Sequence, residues 1–522
     1  MRALAGSYKN FDYAGLLDAE RVQASITPLA GGLRYSWAAK AVDGPVLEAL
    51  QALADEQELT GKYRALLEGE IINTEEKRKV LHHLTRSPDA KALTGKPVMH
   101  EGKDLGKFYA GELERIAAFA RDVHSGKIRG AADKAFTTAV QIGIGGSDLG
   151  PRALYLALEN WAAKEGKQRL QARFISNVDP DDASAVAASV PLDQTLFILV
   201  SKSGTTQETL ANELFIKDKL RKAGLDPSKH IAAVTSETSP LAHNPAYADS
   251  FYIDDFIGGR YSSTSAVGGV ILSLAFGPEV FREFLDGAHE ADALALENGI
   301  LKNGALLDAL TGVWERNFLG YPSTAVLPYS QALSRFPAHL QQLDMESNGK
   351  RVNRDGIPLS YATGPAVFGE PGTNGQHSFY QLLHQGTDIT PLQFAGFLES
   401  QRGDDVSVDG SVSQTKLKAN LAAQIVAFAK GKPAGTDAAS RNKEFPGGRP
   451  SSLIYGERLT PQALGALLAH YENKVMFQGF VWNLNSFDQE GVQLGKVLTK
   501  QVLAKAGGGD SALNAYSALL GI

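Results

Sequence analysis

Five apolar residues in a row, Leu196-Phe197-Ile198-Leu199-Val200, give way at once to Ser201-Lys202-Ser203-Gly204-Thr205-Thr206. A continuous apolar run of this length predicts a buried parallel strand. The next stretch, Gln207 to about Lys219, has helical spacing, so the hexapeptide reads as a strand-to-helix loop. An earlier segment repeats the pattern: Thr138-Ala139-Val140 runs through Ile142-Gly143-Ile144-Gly145-Gly146-Ser147-Asp148-Leu149-Gly150-Pro151 into a helical stretch from Arg152 to about Ala163. With further strands predicted at 172–178, 230–235 and 251–253, strand and helix alternate from about 121 to 295. Such alternation argues for an α/β fold with a parallel sheet covered on both faces. A second alternating block runs from about 296 to 505, with strands at Ser323–Leu327 and Thr390–Phe397 and helices from Gln376 and from Gln414 to about Lys430. The two blocks suggest a duplicated architecture without a fixed-period repeat.

Residues 1 to about 120 read mainly as helices. Asn73-Thr74-Glu75-Glu76 predicts a helix start, with Asn73 as cap, Glu76 at the third position and Val80, Leu81 and Leu84 as the apolar stripe. His82 and His83 are adjacent, point to different sides of that helix, and read as structural or solvated. The Gly- and Pro-rich stretch 431–452 predicts a long surface loop. Gly507-Gly508-Gly509 interrupts the chain before a short helical tail.

Composition narrows the function classes. The chain of 522 residues is 43% hydrophobic and 21% charged, ordinary for a globular protein long enough for two or three cores. A net charge of −6 argues against a nucleic-acid surface or an anionic membrane partner. An anionic ligand would have to be held by a few placed cations. The absence of cysteine excludes disulfides and thiolate chemistry and fits a reducing compartment. The N-terminus lacks the apolar core of a signal peptide, and the longest apolar stretch, near Ala266 to Gly277, is too short to span a bilayer. These features together predict a cytoplasmic protein.

Four hydroxyls, an ammonium and free backbone N–H groups at a helix start suit a small dianion such as a phosphate ester. One such loop is as well explained by an N-cap cluster with no ligand. Two, in successive strand–helix units, suggest a shared anion pocket at a strand-end crevice. The glycine loop is not a dinucleotide fingerprint, because Asp148 stands where the third glycine belongs, and neither loop has the spacing of a nucleotide P-loop.

Three more segments combine unusual residues. In Leu340-Gln341-Gln342-Leu343-Asp344-Met345-Glu346-Ser347-Asn348-Gly349-Lys350, the Asn348-Gly349 pair signals a turn that leaves Glu346 near an element end. Gly372-Thr373-Asn374-Gly375-Gln376-His377 leads into a helix, where His377 could exchange protons or simply be hydrogen-bonded; His384 reads as a packing residue. Ser486-Phe487-Asp488-Gln489-Glu490-Gly491-Val492-Gln493-Leu494-Gly495-Lys496 ends on a lysine that would ordinarily be surface. Gly258-Gly259-Arg260-Tyr261-Ser262 exposes an arginine able to hold an oxyanion. The eleven histidines show no metal-ligand spacing.

In this order, these segments closely resemble the glucose-6-phosphate isomerase (phosphoglucose isomerase) family. The resemblance covers Asn73 to Glu75, Ile142 to Pro151, Ser201 to Glu208, Gly258 to Ser262, Asp344 to Lys350, Gly372 to Gln381 and Phe487 to Lys496. It implies two sugar-isomerase (SIS-type) doubly wound domains with mainly parallel sheets, a smaller one over 121–295 and a larger one over 296–505. An N-terminal helical region, 1–120, would pack on the second domain, and 506–522 would form a C-terminal helical tail. It implies reversible interconversion of glucose 6-phosphate and fructose 6-phosphate, in glycolysis and gluconeogenesis, with no metal or organic cofactor. Carried onto matching positions, Glu346 is the base moving a proton between C1 and C2, His377 and Lys496 assist ring opening, and Arg260 stabilises the enediolate. Ser201, Lys202, Ser203 and Thr206 would bind the phosphate, Gly146 and Ser147 line the pocket, and Gln342 and Gln489 contact the sugar. Family members are usually homodimers in which this histidine reaches across from the neighbouring subunit.

The chain departs from the family pattern in places. Ser203-Gly204 replaces a frequent Thr-Phe, giving a loop shared with many phosphosugar-binding domains, so the loop alone does not separate an enzyme from a sensor. Glu490 stands where Trp is frequent and Gln493 where Glu is usual, which leaves the tuning of Lys496 open. A non-catalytic phosphosugar sensor would need the loops but not Glu346, His377 and Lys496 together, and would carry an output domain. A nucleotide-dependent oxidoreductase would need the fingerprint that fails here.

Overall fold

The computed structural model describes residues 1–8, 11–504 and 510–522. The glycine run at 507–509 lies outside the described residues. Two sheets organise the chain. Their strands are β1 (Ile26–Pro28), β2 (Arg34–Ser36), β3 (Thr138–Ile142), β4 (Gln171–Ile175), β5 (Thr195–Val200), β6 (Ile231–Thr235), β7 (Ser250–Tyr252), β8 (Ser323–Tyr329), β9 (Ala366–Phe368), β10 (Leu392–Phe397) and β11 (Ser451–Gly456).

The first sheet is wholly parallel, in the order β4-β3-β5-β6-β7. Every residue of β3, β5 and β6 is buried, which their unbroken apolar runs require once helices cover both faces. The chain reverses its direction of travel across the sheet between β3 and β5, the switch point where ligands of open α/β sheets bind. Ile142 of β3 pairs with Leu199 of β5, so the glycine loop and the Ser201 loop leave the sheet side by side.

The second sheet has the order β1-β2-β11-β10-β8-β9. Its β11, β10, β8 and β9 are parallel, and the N-terminal hairpin β1-β2 adds on antiparallel to β11. The α/β class with mainly parallel sheets is therefore as expected from the alternation. Helix Ala266–Phe276, apolar all round, has all eleven residues buried and packs against helices Leu105–His124 and Leu149–Lys164. Helix Pro461–Val481 is buried along most of its length against Pro278–Leu294 and Gly304–Val313. No helix among the described residues is long and apolar enough to cross a membrane.

Several local expectations are corrected. Asn73 does not start a helix: its side chain accepts from the Glu76 N–H at 3.2 Å, but the segment closes as a turn bridged by Asn73 and Arg78. The capping signature is spent on that turn because the chain must go on extended into the core, and helix returns only as a short 3₁₀ piece, His82–Arg86. Of the two readings offered for His82 and His83 the structural one holds, since both are buried; His82 stacks on Tyr261 at 4.7 Å, and burial drives the His83 imidazole down to about 3. The helix expected from Gln376 begins at Tyr380, after a 3₁₀ turn, Asn374–His377. Strands β1, β2, β9 and β11 carry no sequence signal of their own, being short or, for β11, partly inside the stretch that predicts a loop. His384 does pack, stacked on Phe428 at 3.7 Å.

Candidate active site

The segment carrying Glu346 is a wide π-helical turn, Gln341–Glu346, continuing the short helix Phe336–Leu340. Gly349 ends the element, its N–H reaching the Met345 carbonyl at 3.0 Å. A π turn is an uncommon local structure found often at functional sites. Here it leaves Glu346 partly exposed, 20%, on the wall of a cleft of about 580 Å³. Gln342, Lys350, Val367, Gln489 and Val492 line the same cleft.

Arg260 meets Glu346 from a 3₁₀ turn, Gly259–Thr264, its Nη1 at 3.2 Å from Oε2. The guanidinium is 2% exposed, with two of its three nitrogens committed to buried acceptors. Its Nε donates to Ser347 Oγ at 2.7 Å, and Nη2 donates to the carbonyls of Ser486 at 2.7 Å and Asp488 at 2.9 Å. Only Nη1 is left for the cleft side. Tyr261 shares Ser347 Oγ at 3.0 Å, and burial pushes its phenol up to about 12, so it remains a neutral hydroxyl. Gln342 Nε2 also donates to Glu346 Oε2, at 3.0 Å. The carboxylate is thus oriented by one cation and one amide, an arrangement that fixes a base and places a positive charge beside it.

The glycine loop is locked onto this constellation. A Cβ on Gly146 would lie 2.2 Å from the Gly259 carbonyl and 2.8 Å from the Arg260 nitrogen. A Cβ on Gly145, whose φ is +61°, would lie 3.4 Å from Gln342 Nε2. Ser147 is partly buried in the 3₁₀ turn Gly145–Ser147, at the same joint. These glycines are therefore close-approach positions joining the first sheet to the arginine and the π turn.

The Ser201 loop comes in from the other side. Lys202 Nζ donates to the Ile257 carbonyl at 3.2 Å and lies 3.8 Å from Asp255. Desolvation lowers the pKa of this ammonium, while Asp255 opposes the shift. Ser201 Oγ bridges Thr206 Oγ1 at 3.0 Å and the Gly204 N–H at 3.1 Å, and the Thr205 N–H donates to Ser203 Oγ. Thr206, at the cap of helix Gln207–Lys222, makes no side-chain bond to the helix. The loop is held open by its own hydroxyls.

Of the residues singled out in the sequence, the single chain brings Glu346, Arg260, Gln342, Gln489 and Gly146 to one place, and the Ser201 loop reaches the segment just before Arg260 through Lys202 and the Ile257 carbonyl. It does not bring His377 or Lys496 to the cleft. His377 is exposed on its 3₁₀ turn, and Lys496 is exposed on helix Gln493–Leu503, which begins just after the cleft residue Val492. Ser347, Asn348 and Ser486 have no role assigned from the sequence. They sit inside the quoted segments, but being neutral they carry no chemical signal, and only folding shows Ser347 and Ser486 holding Arg260, with Asn348 holding Ser486.

Fold and cleft together define an α/β protein with hydroxyl- and glycine-rich loops at a strand switch point and an arginine-held carboxylate in a cleft. Residues 36–518 match the family model for phosphoglucose isomerase. The chain is 63% identical over 501 residues to the glucose-6-phosphate isomerase of Treponema pallidum, covering 96% of this chain and 92% of that protein. It is 48% identical to the one from Borreliella burgdorferi, covering 94% and 92%. The crystal structure of a glucose-6-phosphate isomerase from Chlamydia trachomatis superposes with a TM-score of 0.90 at 43% identity, covering 99% of this chain and 97% of that one. The chain belongs to the phosphoglucose isomerase family.

Proposed function

We propose that this protein interconverts D-glucose 6-phosphate and D-fructose 6-phosphate through an enediolate, with Glu346 as the base. The observation that carries the assignment is the Glu346 carboxylate fixed in the cleft by Arg260 at 3.2 Å and Gln342 at 3.0 Å.

The ring must open first: one group takes the O1 proton while another gives a proton to O5. His377 and Lys496 serve this step. Glu346 then removes the proton from C2 of the open aldose, and the electron pair forms the C1–C2 double bond as the C1 carbonyl becomes an enediolate oxygen. Arg260 Nη1, the nitrogen not committed to structure, balances the charge that develops there. The C2 hydroxyl proton passes to O1, a carbonyl re-forms at C2, and Glu346 delivers its proton to C1, which completes the ketose without a net change in protons or electrons. Ser201, Lys202, Ser203 and Thr206 hold the phosphate, whose binding energy is remote from the reacting carbons. Gly146, Ser147, Gln342 and Gln489 line the sugar.

The active unit is a homodimer in which His377 comes from the neighbouring subunit. Helix Gln493–Leu503 supports a partner, because it buries none of its residues within the chain while Leu494, Val497 and Leu503 are more than half exposed. The reaction places the protein in the cytoplasm, in glycolysis and gluconeogenesis. Supplying fructose 6-phosphate to the purified protein should yield glucose 6-phosphate, and Glu346→Gln should slow turnover about a hundred- to ten-thousand-fold. Turnover by that variant at the unaltered rate rejects the assignment.

A further inference from the structure

Behind the cleft lies a second, narrower space of about 40 Å³, enough for two or three waters. Val367 and the π turn form the wall between the two. Gln341, Gln342, Met345 and Glu346 face the cleft, while Leu340 and Asp344 face the chamber. The chamber is charged. Lys40 pairs with Glu315 at 2.8 Å, and Lys474 and His470 each lie 3.1 Å from Asp308. Asp344, 8% exposed, is the acid left over: among the described residues it has no cation within 4.0 Å. Its hydrogen bond is a long one, 3.4 Å, from Asn348 Nδ2. The Gln478 Oε1 atom on the same chamber is also without a partner. A buried carboxylate without a direct counter-ion is costly, and a neutral residue of the same shape would remove the cost.

Asp344 is tied to Glu346 twice. One link is the π turn itself, which carries both residues on opposite sides. The other is a chain of polar contacts. Asn348 donates to Asp344 and accepts from Ser486 Oγ at 2.8 Å; the Ser486 carbonyl accepts from Arg260 Nη2 at 2.7 Å; and Arg260 Nη1 meets Glu346 at 3.2 Å. Both links end on the one carboxylate that the cleft presents.

We propose that Asp344 is a positioning residue for Glu346, its charge balanced across the chamber by Lys474 so that the π turn keeps Glu346 aimed into the cleft and against Arg260 Nη1. The inference rests on the reading of Glu346 as the base. The ionisable groups lining the same chamber are Lys474 and Tyr471 from helix Pro461–Val481, Asp308 from Gly304–Val313, Glu315 and Arg316 just after it, Tyr321, and Lys40 from the N-terminal segment. Desolvation, opposed by Lys474, raises the Asp344 carboxyl to about 6, so its charge is present at neutral pH and lost below that value.

The test is Asp344→Asn, close in shape, assayed for kcat, KM and melting temperature from pH 5 to 9 beside Glu346→Gln. The expected result is a kcat lower by about ten- to a hundredfold, a KM for fructose 6-phosphate within about threefold, loss of the inflection in kcat near pH 6, and a melting temperature at neutral pH no lower than that of the parent. Unaltered kcat with an unaltered pH profile overturns the proposal. So does a kcat that falls together with the melting temperature while the inflection stays, which marks a structural role only. Should the asparagine variant not fold, Lys474→Gln is expected to lower kcat likewise and to move the inflection above pH 6, because it removes the cation that favours the Asp344 charge; an inflection left in place overturns the proposal. Glu346→Gln retaining full activity overturns the base and this inference with it; Glu346→Gln inactive beside an unaltered Asp344→Asn overturns this inference alone.

Discussion

Replacing Arg260 with lysine keeps the positive charge and removes the fork. The guanidinium reaches Ser347, the two carbonyls of Ser486 and Asp488, and Glu346 from three separate nitrogens. An ammonium is a single point and cannot span them all. If it stays with Glu346, at least two buried acceptors lose their donor, at about 1–3 kcal/mol each. For a protein of this size that amounts to a fall in melting temperature of about 2–5 °C. If it stays with the carbonyls, the cleft loses its preorganised charge, and the loss of one such donor is worth about a hundred- to a thousandfold in kcat. Either placement lowers kcat for fructose 6-phosphate by about a hundredfold, because an ammonium held at Glu346 without the Ser347 and Ser486 anchors is no longer preorganised. The assay is steady-state turnover at 25 °C, well below the melting transition, with a thermal melt on the same samples. A variant that turns over within about threefold of the parent and melts at the parent temperature would refute the reasoning.

Gly146→Ala puts a methyl group 2.2 Å from the Gly259 carbonyl and should destabilise by about 1–3 kcal/mol while shifting Arg260, so turnover should drop more than tenfold in the same assay. Asp344 also sets a pH dependence of stability. Its carboxyl is raised from 3.8 to about 6 in the fold, so its contribution is complete below pH 3.8 and is lost as pH rises through 6. Asp344→Asn should therefore unfold at higher denaturant than the parent at pH 7.5, by up to about 3 kcal/mol, with the gap closing toward pH 4. Mixing Glu346→Gln with His377→Ala under conditions of subunit exchange should restore up to about a quarter of parental activity. Half the dimers become mixed, and one site in each then has both groups intact. No recovery would place His377 in the site of its own chain.

The two loops were legible because an apolar run that breaks off into small polar residues fits the end of a buried strand and little else. Strands β3 and β5 accordingly appear with bounds within a residue or two of those read from the sequence. The N-terminal hairpin was not legible. Ile26–Pro28 and Arg34–Ser36 are three-residue strands, and the second is fixed by pairing with β11, more than four hundred residues away in the chain. Asn73 carried a true capping signal, and tertiary structure used it for a different turn. At the site, charged residues stood out and neutral ones did not. Arg260 and Glu346 were visible as groups that could do chemistry, whereas Ser347 and Ser486 are small polar residues until the fold places them against a buried guanidinium, with Asn348 behind Ser486. The chamber behind the π turn was invisible for a similar reason: Lys40, Asp308, Glu315 and Lys474 come from distant stretches, and nothing in one stretch announces the others.

The central claim is that the Glu346 carboxylate carries hydrogen between two adjacent carbons. Incubation with fructose 6-phosphate in deuterated water tests it most directly, with deuterium at C2 of the glucose 6-phosphate read by NMR. The parent protein should incorporate label at C2, because a proton on Glu346 exchanges with solvent while the enediolate lives. Glu346→Gln should bind the sugar phosphate and leave C2 unlabelled. Label appearing at C2 at the parental rate in that variant would contradict the account.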